Sequence, residues 1–305
     1  MLLYVLKRLL HGVFVLLGIS VIVFGLTWLT GDPASVLLPL STPPDQVAQF
    51  RHQMGLDQPV PVQYLDFLGR AVHGDFGTSF RNRTAALPLV MSRLPITLAL
   101  MGAALLFSML VAVPLGITAA LFHRQTPDFL ARLVALFGQS VAAPWLGVML
   151  ILLFAVNLRW LPSSGAASPQ SIILPAIVAG AYSAAGLTRL LRSSLLEVMA
   201  NDYMRTARGK GLPTRVVVLR HALKNAAIPV VAFLGVQIAF LFGNTVIAEA
   251  IFAYPGMSRL AVDAISARDT PVIQVFVLLA GTLVVLVNLI ADVAYAWLDP
   301  RIRLA

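Results

Sequence analysis

Five stretches that contain no Asp, Glu, Lys or Arg constrain this chain more than any other feature of its sequence. Each is long enough to cross the hydrocarbon core of a bilayer, which takes roughly 20 residues. A sixth apolar segment runs from about Ile172 to Leu187, after a turn-rich region that opens at Pro162. We therefore predict an all-α, polytopic membrane protein with six transmembrane helices. The five uncharged stretches are Leu9–Gly31, Leu94–His123, Leu133–Leu158, Asn225–Ala248 and Thr270–Ala291.

The overall composition also places the chain in lipid. It is 59% hydrophobic and only 11% charged, whereas soluble proteins carry about 25% charged residues. Lys7 and Arg8, followed by an apolar run, resemble the start of a signal peptide. The run Leu9–Thr30 is longer than the apolar core of about 7 to 15 residues in such peptides, so we predict that it is retained as a span. The absence of cysteine excludes disulfides, thiolate zinc sites and cysteine nucleophiles.

The distribution of charge predicts the orientation of the chain. With six spans and the N-terminus inside, the inner segments carry fourteen Lys or Arg against five Asp or Glu, and the outer segments carry eight against eight. The whole net charge of +9 then lies on one side, which the positive-inside rule assigns to the cytoplasm. The short loops decide this assignment, because a loop as long as 32–93 crosses membranes with little regard for charge. Both termini are therefore predicted to be cytoplasmic, and nucleic-acid binding has no remaining support.

The first outer loop, residues 32–93, is predicted to be folded. Thr42 is a suitable N-cap for a helix that ends at Gly55, and a second short helix is expected over Val62–Val72. A turn-rich return to the membrane follows at Gly74–Gly77. Two interpretations stay open for this loop: a structural cap over the ends of the spans, and a docking surface for an external partner.

The inner loop, residues 189–224, has the most informative pattern. It predicts a helix whose last turn holds Arg208 and Lys210, where cations oppose the negative end of the helix dipole. Gly211 is placed to adopt the left-handed conformation that closes a helix. Leu212 and Pro213 then end the helix, and Thr214 is a suitable N-cap for a second amphipathic helix. The apolar residues that recur at helical spacing in the first helix are Leu191, Leu195, Leu196, Met199, Tyr203 and Ala207.

Two interpretations of this helix, turn and helix were weighed. A basic amphipathic loop can rest on anionic lipid headgroups, as many such sequences do. A sharp turn between two amphipathic helices is better suited to insertion into the groove of a partner protein.

The polar residues of the spans predict no catalytic or proton-relay site. Gln237 and Asn244 share a face of the fifth span, where lining a pathway and bonding between helices are both open interpretations. Glu249 lies about 22 residues along that span, and therefore near an interface. The alternative function, a proton-coupled secondary transporter, needs titratable groups within the bilayer, and none lies mid-membrane here. An intramembrane hydrolase needs a nucleophile with a base or a pair of aspartates there, and the sequence has no such set. No phosphate-binding loop of the Walker type occurs, so ATP must be handled by another chain.

The inner loop resembles the coupling loop of permeases of the peptide and nickel type of ABC importers, specifically their B-type subunit. The resemblance rests on the sequence from Asp202 to Leu212 and from Arg220 to Pro229, and on motifs spread over the whole chain. It departs from the broader importer pattern in having Arg205-Thr206-Ala207 where many permeases have Glu-Ala-Ala. The further motifs are Gly31-Asp32-Pro33, Gly55-Leu56-Asp57-Gln58-Pro59, Gly74-Asp75-Phe76-Gly77, Glu249-Ala250-Ile251-Phe252 with Pro255-Gly256, Arg268-Asp269 with Pro271-Val272-Ile273-Gln274, and Leu298-Asp299-Pro300-Arg301-Ile302-Arg303.

The resemblance implies a single transmembrane permease domain over residues 1–305, with type I importer architecture, in the inner membrane of a bacterium. It implies a second, similar permease, two cytoplasmic ATPase subunits that bind ATP and Mg, and a periplasmic or lipid-anchored solute-binding protein. The chain itself is expected to hold no cofactor or metal and to catalyse nothing. The implied cargo is a dipeptide, an oligopeptide, glutathione or chelated nickel. The residues implied in coupling to the ATPase are Asp202, Tyr203, Arg205, Thr206, Ala207, Lys210, Gly211 and Leu212.

Overall fold

The computed structural model describes residues 2–29, 38, 42–53, 55, 57–211, 213 and 216–298. Nearly all of these residues are helical, and the β pairing among them is an isolated antiparallel bridge between Thr78 and Ala85. The predicted all-α class is confirmed. The motif residues Asp32, Pro33 and Asp299 to Arg303 lie outside the described residues.

Most of the described helices follow one another with short connections, and 73–85 and 158–168 are among the longer ones. Two π-helical turns and one 3₁₀ turn adjoin the described α-helices. The π-turn Ile151–Asn157 follows the helix that ends at Leu150, and the π-turn Val217–Ala222 precedes the helix that begins at Leu223. The 3₁₀ turn covers Pro169–Ile172. In chain order the α-helices are α1 (Leu2–Leu29), α2 (Pro44–Gln53), α3 (Val60–Val72), α4 (Ala86–Leu121), α5 (Thr126–Ser140), α6 (Ala143–Leu150), α7 (Ile173–Met199), α8 (Asp202–Gly209), α9 (Leu223–Ile251), α10 (Met257–Ser266) and α11 (Thr270–Leu298).

The membrane-spanning helices agree with the predicted number once a bent pair is counted. Within the described residues, five helices are long and apolar enough to cross a membrane: α1, α4, α7 with its 3₁₀ turn, α9 and α11. The pair formed by α5 and α6 with its π-turn supplies a sixth span if it is one broken span, and it is bent by 107°. The predicted third stretch, Leu133–Leu158, is therefore interrupted after Ser140. Pro144 explains the break. A helix that continued past Ser140 would need the amide hydrogen of residue 144 to bond the Ser140 carbonyl oxygen, and proline has none.

By internal contacts the chain divides into two compact units. One comprises Met1–Ile96 with Gly256–Leu286, and the other comprises Thr97–Pro255 with Val287–Ala305. Two of the three boundaries fall inside α4 and α11, and the third lies between α9 and α10. The single domain predicted for residues 1–305 stays a prediction.

In the second unit, α7 packs against α5 and α9. It also touches α4 so closely that a Cβ atom built on Gly180 would lie 2.5 Å from the carbonyl oxygen of Ala104. The Ser108 hydroxyl donates a hydrogen bond of 2.9 Å to the carbonyl oxygen of Gly180 at this crossing. Small residues and a buried hydroxyl at a helix crossing are typical of packing within membranes, where backbones approach closely.

In the first unit, the outer loop is folded, as predicted. Helix α3 begins at Val60, two residues before the predicted start, and ends at Val72 as predicted. Both Gly74 and Gly77 have φ of +79°, which confirms the turn-rich return. At the end of α2, the ring of His52 lies 2.6 Å from the carboxylate of Asp57. This hydrogen bond raises the pKa of His52 and lowers the pKa of Asp57.

A buried carboxylate anchors the end of this loop. The side chain of Asp269, which precedes α11, accepts a hydrogen bond of 2.5 Å from the Ser79 hydroxyl. It also accepts the backbone N–H groups of Phe80 at 3.1 Å and Arg81 at 3.3 Å. Asp269 is almost fully buried, so these three donors replace the water that its carboxylate would otherwise bind. The interpretation of the loop as a structural cap agrees with these contacts.

Candidate functional site

The segment between α7 and α9 differs from the prediction at one point. The expected continuous helix through Ala207 is two helices, because α7 ends at Met199 and α8 begins at Asp202. The carbonyl oxygen of Asn201 accepts the Met204 N–H at 3.1 Å and so opens the first turn of α8. The apolar spacing runs on across this break, but Asn and Asp side chains favour helix starts over helix interiors.

Helix α8 buries its apolar face against its own chain. Met204 has no exposed surface and Ala207 is 9% exposed. Both belong to one hydrophobic cluster with residues of α7, of the π-turn and of α9. The other buried members of this cluster are Ala120, Leu191, Leu195, Val217, Ala222 and Ala226.

The opposite face of α8 is polar and exposed. The side chains of Asp202 and Arg205 are 96% and 77% exposed, and Thr206 and Lys210 are exposed as well. Tyr203 is 44% exposed, and its hydroxyl accepts a hydrogen bond of 2.8 Å from the side-chain amide of Asn225 on α9. The apolar face of α8 is occupied by its own chain, so that face is not available to insert into lipid. Contact of the polar face with a partner protein stays a prediction.

Gly211 closes this segment in the predicted conformation. Its φ is +76°, and among the described residues beyond its chain neighbours a Cβ atom built on it would meet no atom within 4 Å. The N–H of Lys210 donates to the Thr206 carbonyl at 3.1 Å, so the helical hydrogen bonding continues to the residue before the turn. The predicted coupling residue Leu212 and the predicted N-cap Thr214 lie outside the described residues.

A buried ionic cluster lies on the neighbouring part of α7, and sequence reasoning missed it. The carboxylate of Asp128, near the start of α5, has no exposed surface. It accepts Arg192 Nε at 2.6 Å and Nη2 at 2.9 Å, and the Arg124 N–H at 2.9 Å. Arg192 follows Leu191 of the cluster under α8, so the ion pair fixes the part of α7 on which α8 rests. The i, i+4 spacing of Asp128 and Arg132 was visible in the sequence, but it gives no indication of the main partner, Arg192.

We expect Asp128→Asn to destabilise the fold by about 3 kcal/mol, because breaking a buried pair leaves the other charge without its partner. Thermal unfolding of the purified protein measures this loss. Arg132→Gln is the matched control, since Arg132 approaches the same carboxylate at 3.3 Å but is 53% exposed and should cost well under about 1 kcal/mol. In a double-mutant cycle with Arg192→Gln, losses that simply add would contradict a direct pair.

The polar residues of α9 make contacts between helices. Gln237 is 3% exposed, and its side-chain oxygen accepts a hydrogen bond of 3.0 Å from the Ser183 hydroxyl on α7. Asn244 is half-buried. Glu249 is fully buried near the end of α9 and accepts the Thr97 hydroxyl at 2.6 Å. Bonding between helices is thus observed for Gln237, while the lining of a pathway by Gln237 and Asn244 stays a prediction.

Comparison with known proteins decides the family. A model of the binding-protein-dependent transport system inner membrane component matches residues 112–304, and the model of the N-terminal part of such membrane components matches residues 1–101. The chain belongs to this family. The predicted resemblance to permeases of the peptide and nickel type of ABC importers is confirmed.

The curated relatives of the permease cover it from end to end. It is 42% identical over 304 residues to the glutathione transport system permease protein GsiC of Salmonella typhimurium, with 99% of each chain covered. It is 41% identical over 304 residues to the protein of the same name from Escherichia coli K12, again with 99% of each covered. The permease is therefore a subunit of an ABC importer and a membrane protein with several spans.

Solved structures support the fold of the permease. The MetNI methionine ABC transporter in an inward-facing conformation aligns with a TM-score of 0.57 at 17% identity, over 69% of this chain and 96% of that one. An amino acid ABC transporter aligns with a TM-score of 0.50 at 15% identity, over 70% and 94%. At such identities the likeness shows the fold alone, which is that of ABC importer permeases.

Proposed function

We propose that this permease forms, with a second and similar permease, the pathway by which an ABC importer takes up glutathione or a related small peptide. The relatives that are 41 to 42% identical over the full length are named for glutathione transport, and this supports the peptide class. The half-buried Asn244 and the buried Gln237 are the polar residues proposed to line the pathway, which suits a cargo with amide and carboxylate groups.

Coupling to the ATPase is proposed to run through α8, Gly211 and Leu212. The observation that carries this proposal is the division of α8 into an apolar face packed on its own chain, through Met204 and Ala207, and an exposed polar face. A rigidly held polar helix that ends in a left-handed turn presents a fixed shape to a partner, and ordering it on binding costs little further entropy. The proposed contacts to the ATPase come from Asp202, Tyr203, Arg205, Thr206 and Lys210.

The remaining proposals concern the ATP-binding subunits, the solute-binding protein and the orientation of the chain in the membrane. We propose two cytoplasmic ATP-binding subunits, because no Walker-type loop occurs in the sequence. A periplasmic or lipid-anchored binding protein is proposed to deliver the solute. The excess of Lys and Arg on one side supports an orientation in the bacterial inner membrane with both termini in the cytoplasm.

Uptake by the reconstituted importer tests this function. Proteoliposomes that hold this permease, its partner permease and the ATPase subunits are supplied with the binding protein and labelled glutathione. We expect uptake that requires ATP and exceeds the uptake of labelled dipeptides, oligopeptides or a nickel chelate. Preference for one of those solutes would reassign the cargo. Uptake without ATP, driven by a pH gradient, would overturn the importer function in favour of a secondary transporter.

A further inference from the structure

Helix α3 of the outer loop is held against the first membrane span. The hydroxyls of Tyr64 and Ser20 are 2.9 Å apart. The ring centroid of Phe24 lies 5.5 Å from that of Tyr64 and 5.7 Å from that of Phe67. Phe67 is 5% exposed, so this face of α3 is packed on α1.

The contacts with α1 place α3 beside a membrane span. An apolar window of α1 covers Arg8–Gly25, and both Ser20 and Phe24 lie within it. Tyr64 and Phe67 therefore pack on the apolar part of α1. With 13 residues, α3 is about 20 Å long and too short to cross the bilayer.

A second face of α3 is apolar and exposed. Leu65 is 65% exposed, Val72 is 79% exposed and Val62 is 46% exposed. Together with Gly69 they are spaced by three, four and three residues, which places them on one face of a helix. Asp66 and Arg70 are also exposed and follow one edge of this stripe, since Asp66 lies one helical turn after Val62 and Arg70 one turn further.

We propose that α3 is an interfacial helix, whose stripe of Val62, Leu65 and Val72 is immersed in the adjacent lipid leaflet while Asp66 and Arg70 face the headgroups and water. The packing of Tyr64 and Phe67 on the apolar part of α1, and the apolar stripe with polar residues beside it, both fit a helix at the lipid boundary. That the leaflet is the outer one rests on the orientation proposed above, but the immersion itself does not.

Fluorescence quenching in the assembled importer tests the proposal. The chain has no cysteine, so bimane can be attached at single cysteines in the variants Leu65→Cys, Val72→Cys, Asp66→Cys and Arg70→Cys. The complexes are placed in bilayers of phosphatidylethanolamine and phosphatidylglycerol, with or without a lipid whose acyl chain carries a doxyl quencher near the headgroup. We expect the doxyl lipid to quench residues 65 and 72 at least about twofold more than residues 66 and 70, and aqueous iodide to show the reverse order.

Each other outcome overturns the immersion. Iodide quenching at all four positions would place the stripe in water. Shielding of residues 65 and 72 from both quenchers would place the stripe against protein, such as the second permease. Neither result depends on which leaflet is involved, so a failure of this proposal is distinguishable from a failure of the orientation or of the transport function.

Discussion

A valine in place of Gly211 is expected to leave the permease in the membrane at normal abundance and to abolish both uptake and the ATP hydrolysis that the binding protein stimulates. At φ of +76° a residue with a Cβ atom costs about 1 to 2 kcal/mol more than glycine. That cost is too small to unfold the membrane spans. It is large enough to redirect a turn that docks on a partner, since about 1.4 kcal/mol changes an affinity tenfold.

Two further variants test whether the loss of uptake in Gly211→Val comes from the backbone conformation of Gly211 or from the added side-chain volume. Among the described residues beyond the chain neighbours, a Cβ atom built on Gly209 or on Gly211 meets no atom within 4 Å, but only Gly211 of the two has a positive φ. Gly209→Val should therefore keep most of the uptake, and Gly211→Asn should restore much of it, because Asn tolerates the left-handed region. If instead Gly211→Val transports normally and Arg208→Gln with Lys210→Gln is inactive, charge governs the loop and the coupling role is wrong.

A methyl group at Gly180 is expected to cause one of the two largest losses of stability among the single changes discussed for this permease. The added Cβ would lie 2.5 Å from the Ala104 carbonyl oxygen and 2.9 Å from the Ser108 hydroxyl. A rotamer change can move the hydroxyl but not the backbone oxygen, so α4 and α7 must separate. We expect Gly180→Ala to cost about 3 kcal/mol and to lower both the melting temperature and the abundance of the protein.

Gly102 of α4 provides the control for this change. It is exposed, and a Cβ atom built on it meets no atom within 4 Å. Gly102→Ala should be neutral or slightly stabilising, since alanine is the better helix former. Ser108→Ala should not rescue Gly180→Ala, because the backbone oxygen remains. Equal melting temperatures for the two glycine variants would show that α4 and α7 do not touch at Gly180.

The number and type of the helices could be predicted from the sequence because lipid imposes a long, uncharged signature on each span. The bend after Ser140 was not predicted, since the apolar composition of Leu133–Leu158 conceals the local effect of Pro144. The break at Asn201 was missed for a related reason. Apolar spacing persists across it, although Asn201 and Asp202 are residues that favour a helix start over a helix interior.

The site was predictable where it is local. The left-handed Gly211 follows from its place after a basic last turn, and the structure has it at φ of +76°. Contacts between distant residues left no comparable signal. The pair of Asp128 and Arg192 joins residues 64 apart, and the bond from Ser79 to Asp269 joins residues 190 apart. Sequence patterns report the neighbours along one element, whereas these contacts depend on how the elements pack.

The π-helical turn Val217–Ala222 sets the rotational phase of the long helix that it opens. Its hydrogen bonds run from residue i to residue i+5, so the turn holds one residue more than an α-turn. Removing that residue would rotate everything beyond it by about 100° about the helix axis. Val217 and Ala222 face the cluster under α8, while Gln237 further along accepts the Ser183 hydroxyl. With the extra residue in place, the helix directs Val217 and Ala222 toward the cluster under α8 and directs Gln237 toward Ser183. The wide turn therefore fixes the angle about the helix axis between these two contact faces.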